Sequence, residues 1–236
     1  MEKFIRANEI DKNLDFVNLA VTLKNVDAKS KDDMLTVCKE GNFNFKNLTS
    51  NVQIHSDIVN VVEKFDIGLK KDGDALITNL TNTPLLIFTA DCVPIALIDK
   101  KNKAIGLIHA GWRGTYSKIV KNTIDKMIEQ YNTNPEDIVS VIGPSIGRCC
   151  YEVSEELIEK FNTILTNKDE KFYIIKEGKY HLDLWNVNEQ ILKECKVKKE
   201  NIINLSICTS CESDRFHSYR KHDKTNERIG MILEIK

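Results

Sequence analysis

The stretch "FTADCVPIALIDKKNKAIGLIHAGWRGT", residues 88–115, constrains the fold more than any other part of this chain. Two apolar runs, "VPIALID" and "AIGLIHA", flank the polar "KKNK", so the second run is expected to return antiparallel to the first. Core packing accounts for the valines and isoleucines of this ribbon, but not for Asp91, Cys92, His109 and Arg113. Pro94 cannot donate to a ladder, which predicts a bulge or a sheet edge just after Cys92. Residues symmetric about an antiparallel turn face each other. Cys92 and His109 are nearly symmetric about Lys100-Lys101, with one extra residue for the bulge, so their side chains are expected to converge.

The rest of the chain mixes two periodicities. "FVNLAVTL" (16–23), "DALITN" (74–79), "DIVSVIG" (137–143), "NIINLSIC" (201–208) and "RIGMILEI" (228–235) read as strands. "NVQIHSDIVNVVE" (51–63) reads as a strand with a turn at Ser56-Asp57. A polar helix is expected around "SKDDMLTVCKE", and another from Ser117 with Val120, Ile124, Met127, Ile128 and Tyr131 on its apolar face. A third starts after Ser154 as N-cap, with Leu157, Ile158, Phe161 and Leu165 inward, and "LDLWNVNEQILKEC" (182–195) gives a fourth. Strands outnumber helices and hairpins are evident, so the expected class is α+β or mixed-sheet α/β rather than a doubly wound parallel sheet. No Pro/Gly/Ser-rich linker and no repeat divides the chain, so residues 1–236 are expected to form a single domain.

The chain has 236 residues, of which 42% are hydrophobic, enough for a core of ordinary size. A net charge of −1 gives no global field toward nucleic acid or an anionic membrane, so any anion must be held by a local cluster of cations. The N-terminal "MEKFIRANEIDKNLDF" lacks the continuous apolar stretch of a secretory signal, and the longest apolar runs are strand-sized. Seven cysteines, an odd number, point to a reduced, cytoplasmic protein whose thiols pack or bind metal.

Several residues carry chemistry. Zinc takes imidazole and thiolate ligands, and a catalytic site leaves one position open. Cys92 and His109, joined by His55 from "QIHSD", make a candidate set, against the plainer reading of a packed thiol and hydrogen-bonded histidines. A rival is Cys208-x2-Cys211 with His217 and His222, although its connecting loop is short for a zinc finger. Cys149 and Cys150 precede a helix start, where one of them is a candidate nucleophile paired with a histidine, unless both pack under Tyr151. Arg113, just before an expected helix, and Arg220 together make a candidate phosphate clamp. Asp74 and Asp91 stand beside apolar strand residues, where a carboxyl whose pKa is raised by burial can act as a proton donor.

In order along the chain, "QIHSDIV", "GDALIT", "TADCVPIAL", "IHAGWRGT", "IGPSIGRCCYEV", "LDLWNVN" and "CTSCESDRFHSYRK" resemble the motifs of the polyphenol oxidase (laccase-like) family, whose members are regarded as zinc-dependent purine nucleoside phosphorylases. The resemblance runs from about Leu48 to the C-terminus. It implies a four-layer α/β/β/α fold, one zinc ion on His55, Cys92 and His109, and functional roles for Asp74, Asp91, Arg113 and Arg220. It further implies phosphorolysis of adenosine, inosine and 5′-methylthioadenosine with phosphate, and deamination of adenosine. Three alternatives stand beside it: a copper-dependent polyphenol oxidase, a thiol hydrolase using Cys149 or Cys150, and a zinc-stabilised interaction module built on "CTSC". Five histidines are few for a multicopper centre, which makes copper the weaker choice.

Overall fold

The computed structural model describes residues 2–6, 14–166 and 171–236. The segment inspected above for a secretory signal includes residues 1 and 7–13, which lie outside the described residues. In chain order the elements are β1 (Phe4–Arg6), β2 (Val17–Thr22), α1 (Lys31–Gly41), β3 (Thr49–Ser50), β4 (Val59–Val61), β5 (Ala75–Thr78) and β6 (Leu85–Thr89). The hairpin follows as β7 (Val93–Asp99) and β8 (Ala104–Ala110), then α2 (Trp112–Tyr116), α3 (Ile119–Tyr131) and β9 (Ile138–Ile142). The last part holds β10 (Glu152–Val153), α4 (Glu155–Ile164), β11 (Tyr173–Lys176), β12 (Lys179–Leu182), α5 (Leu184–Glu194), β13 (Ile202–Asn204) and β14 (Ile229–Ile235).

The strands form a five-stranded sheet in the order β1-β2-β14-β6-β3, a six-stranded sheet in the order β13-β9-β7-β8-β5-β4, and a small three-stranded sheet β10-β12-β11. Alternate residues of each strand enter different cores, as the pleat requires. Val17, Leu19 and Val21 of β2, with Met231 and Leu233 of β14, pack against Ala96 and Ile98 of β7 and Ile105 and Leu107 of β8, between the two large sheets. Ala20 and Ile232 face the other way, onto Met34, Val37 and Cys38 of α1. Ile95, Leu97 and Ile108 face the helical side, against Ile124 and Met127 of α3, Phe161 of α4 and Ile191 of α5. The layers are therefore helix, sheet, sheet, helices. Each fully buried Ile or Leu here stabilises by about 2 kcal/mol, so the hairpin is locked from both faces.

The hairpin differs from expectation in register. Its ladder runs without a bulge from Val93↔Ala110 to Asp99↔Ala104, which pairs His109 with Pro94 and places Cys92 beyond the strand end. β7 is central, between β8 and β9. Pro94 is tolerated there because it lies outside the β9 ladder, which begins at Ile95↔Ile142, while its carbonyl accepts from the Gly143 amide (2.9 Å).

Other expectations shorten. Within 51–63 only Val59–Val61 is a strand, and within 201–208 only Ile202–Asn204. Ile128 of α3 is exposed, its place on the inner face taken by Thr123, whose hydroxyl bonds back to Ile119 O. Ser154 stands at the N-cap of α4 but its side chain makes no capping bond. No described helix is long and apolar enough to cross a membrane.

Candidate metal centre and cavity

One carboxylate organises the site. Asp74, immediately before β5, is fully buried. Its Oδ2 accepts from the amides of Ile54 (3.2 Å) and Ser56 (2.6 Å) and from the Ser56 hydroxyl (2.7 Å). Its Oδ1 accepts from the His55 amide (3.0 Å) and from Nδ1 of His109 (2.8 Å). These bonds draw the 54–56 backbone into a bend, with His55 at φ 59°. They explain why the expected strand is interrupted: amides captured by a carboxylate cannot enter a ladder. Burial alone would raise the Asp74 pKa, but His109 and Ser56 outweigh it and hold the carboxyl at about 2. The proton-donor expectation for Asp74 required a pKa raised by burial, whereas its bonds to His109 and Ser56 lower it.

With Nδ1 of His109 donating to Asp74, His109 presents Nε2 to the site. His55, Cys92 and His109 each offer a ligand atom within 4.8 Å of the other two, and the two imidazoles meet edge to face with centroids 4.9 Å apart. Gly111 leaves room for this cluster: a Cβ there would stand 3.0 Å from Cys92 Sγ and 3.2 Å from His55 Cδ2. Burial pushes the Cys92 thiol up, yet His109 and then His55 more than offset it and bring it down to about 6. Burial likewise lowers His109, and Cys92 and Asp74 reverse this to about 9. The sequence-expected ligands are thus together, as an electron-rich N, N, S set suited to a borderline-soft divalent ion.

Asp91, at φ 84°, turns the chain so that Cys92 faces the cluster. Its carboxylate accepts from the Thr209 hydroxyl (2.7 Å) and the Arg220 amide (2.6 Å), and its carbonyl from the Ile146 amide (2.9 Å). Like Asp74, it ties separate segments to a candidate ligand.

His55, Cys92 and His109 line a cavity of about 780 Å³, with Phe88 and Tyr219 as aromatic walls. Four cations line it, Lys29, Lys70, Arg113 and Arg228, and no carboxylate does among the described residues. A chain of nearly neutral charge thus holds a local positive field. Arg113 lies inside the short α2 rather than before a helix, with its guanidinium 4.4 Å from the Trp112 ring centroid. Arg220 belongs to an adjacent groove with Trp112 and Tyr151, 5.4 Å from the Tyr151 centroid, and donates to Glu152 O (3.2 Å). Motif reading gave Tyr151, whose hydroxyl burial pushes up to about 12, only a packing role, and it missed the cations Lys29, Lys70 and Arg228, for which no local signal exists.

Two other expectations are corrected. His217 and His222 do not join Cys208 and Cys211: His217 Nε2 lies 3.2 Å from Val26 O, and His222 Nε2 lies 2.9 Å from Lys24 Nζ. Among the described residues the contacts of Cys149 and Cys150 are with a thiol rather than a histidine, each sulfur standing 3.5 Å from Cys211 Sγ, and burial raises the Cys149 pKa.

Comparison with known proteins places the chain among relatives of known name and fold. Over 211 residues the chain is 36% identical to a purine nucleoside phosphorylase of Clostridium acetobutylicum, covering 89% of this chain and 85% of that one. It is 32% identical over 201 residues to an adenosine deaminase from an unknown prokaryote, covering 80% and 76%. The crystal structure of the Bacillus licheniformis hypothetical protein YfiH superposes with a TM-score of 0.89 at 28% identity, covering 100% of this chain and 97% of that one. The family profile described as multi-copper polyphenol oxidoreductase laccase matches residues 6–235, including the N-terminal part where motif reading found little. With that match over nearly its whole length, this chain belongs to the multi-copper polyphenol oxidoreductase laccase family.

Proposed function

We propose that this chain is a purine nucleoside phosphorylase that cleaves adenosine, inosine and 5′-methylthioadenosine with phosphate, and also deaminates adenosine. The carrying observation is the convergence of His55, Cys92 and His109 on the wall of a cavity with four cations and no carboxylate among its described lining residues. Such a cavity suits a neutral nucleoside beside an anionic phosphate, and the names of the relatives support both activities.

In phosphorolysis an oxygen of hydrogen phosphate bonds to C1′ as the C1′–N9 bond breaks; the electron pair of that bond leaves with the purine, and the proton shed by the phosphate ends on the departing base. Arg113 would orient the phosphate from the cavity wall, and Arg220 from the adjoining groove, with Lys29, Lys70 and Arg228 supplying the surrounding positive field. Phe88 and Tyr219 offer faces on which a purine can stack. Asp74 and Asp91 act as positioning residues: the first aims His55 and His109, and the second aims Cys92. We assign the three ligands to zinc, which supplies Lewis acidity and a lowered pKa for bound water. Copper phenol oxidation is the weaker reading, because only two of the five histidines lie at the centre.

We read residues 1–236 as one domain, and its compartment as the cytoplasm, where thiol ligands stay reduced. The test is chromatography of products from adenosine and zinc-loaded protein, with and without phosphate. Adenine and ribose 1-phosphate should appear only with phosphate, and inosine regardless of it. Absence of both activities in fully metallated protein would refute the proposal.

A further inference from the structure

Beyond the His55, Cys92 and His109 centre, the described residues contain a second cluster of metal-binding side chains, made of four thiols from two distant loops. Cys149 and Cys150 lie after β9, and Cys208 and Cys211 after β13. We propose that these four cysteines form a structural zinc site that staples the long 205–228 segment to the loop following β9.

The geometry suits a shared ion. All four Sγ atoms lie within 4.8 Å of one another. Tetrahedral zinc with sulfur at about 2.3 Å places thiolates roughly 3.8 Å apart, so the cluster needs only small adjustments to close on an ion. Cys211 Sγ is equally far, 3.5 Å, from Cys149 Sγ and Cys150 Sγ. That arrangement is one of sharing rather than of pairing into disulfides. Cys208 Sγ accepts from the Gly147 amide (3.3 Å), the kind of N–H···S bond that stabilises a ligating thiolate. Cys149 and Cys211 are exposed, which gives an ion its entry path. Binding forms Zn–S bonds and releases the thiol protons to solvent, with no change of oxidation state.

A second observation asks for such a staple. Residues 205–228 contain neither strand nor helix, and unstructured connections longer than about 15 residues are uncommon in compact domains. This one enters under tight control: the Ser145 amide donates to Ile207 O (3.1 Å) and the Thr209 amide to Ser145 O (3.0 Å). Thr209, between the two cysteines, then donates to Asp91 beside Cys92, and Tyr219, Arg220 and Arg228 of the same segment line the cavity and its neighbouring grooves. An ion on the four thiols would fix the start of the segment that builds one wall of the site. The histidine–cysteine pairing suggested by sequence spacing is replaced by a thiol-only set, and the one-ion expectation becomes two. This inference stands whatever reaction the cavity performs.

The test is metal analysis of the full-length protein purified anaerobically with reductant. Two zinc ions per chain are expected in the wild type, and one in both Cys149→Ser/Cys211→Ser and Cys92→Ala. A single ion in the wild type that persists in the thiol double variant would overturn the proposal. So would intact-mass evidence of disulfides among these four cysteines in the reduced preparation. Cobalt substitution of the wild type keeps the test independent of variant folding. Sulfur-to-cobalt charge transfer several times that of a one-thiolate site is expected, and one-thiolate intensity at full loading refutes it.

Discussion

Oδ1 of Asp74 lies 2.8 Å from Nδ1 of His109 and 3.0 Å from the amide of His55, so one buried oxygen aims two candidate ligands, one from the end of β8 and one from the bend before β4. Asp74→Asn would keep the size but place an amide group where up to five donors converge. Zinc affinity should fall roughly 10–100-fold, as for other residues that orient a ligating histidine. Stability should drop by about 2–3 kcal/mol from the unsatisfied donors. Competition with a chelating dye reads the first and denaturant unfolding the second. Unchanged affinity would remove Asp74 from the site.

Gly111→Ala tests the space around the cluster. The added methyl would press on Cys92 Sγ at 3.0 Å and on His55 Cδ2 at 3.2 Å. Overpacking of about 1–3 kcal/mol, transmitted to the ligands, corresponds to roughly a 5–150-fold weaker Kd for zinc. A zinc titration followed by calorimetry gives the number directly.

Arg113→Ala should separate the two substrates. Arg113 lines the cavity with its guanidinium stacked on Trp112. Loss of charge-assisted hydrogen bonds worth about 1.5–3 kcal/mol should raise KM for phosphate by roughly 10–150-fold. KM for the nucleoside should move little, and phosphate-independent deamination should persist. Equal effects on both substrates would place the phosphate elsewhere.

Glu234 gives a pH prediction away from the site. It lies on the α1 side of β14, 4% exposed, and burial raises its pKa above 4.5 despite the Asn44 amide that donates to it. A raised folded pKa means that its stabilising protonated form is complete below about 4.5 and is lost as pH rises through the folded value. Glu234→Gln should therefore raise Tm at neutral and alkaline pH, with the gain vanishing below about pH 4.5. A gain independent of pH would contradict the burial argument.

Much of the fold was legible because β2, β7, β8 and β14 are apolar runs whose type does not depend on distant partners. The hairpin register was not, because the position of the turn within "DKKNKA" is set by Asp99, whose carboxylate captures the amides of Lys101 and Asn102. The bend at 54–56 was equally hidden, since Asp74, nearly twenty residues on, causes it. The three candidate ligands were legible as residue types beside strand ends. That Cys149 and Cys150 meet Cys208 and Cys211 was not, because the contact joins loops far apart in sequence. The cationic cavity was invisible for the same reason: Lys29, Lys70, Arg113 and Arg228 come from four separate segments.

The most direct check on the central claim is kcat/KM for phosphate-dependent adenine release by Cys92→Ala compared with wild type, each with its melting curve. Losing one of three ligands at the cavity wall should lower kcat/KM by roughly 10³-fold, several kcal/mol of transition-state stabilisation, while the protein still melts cooperatively. Near wild-type turnover by a folded Cys92→Ala protein would contradict the account.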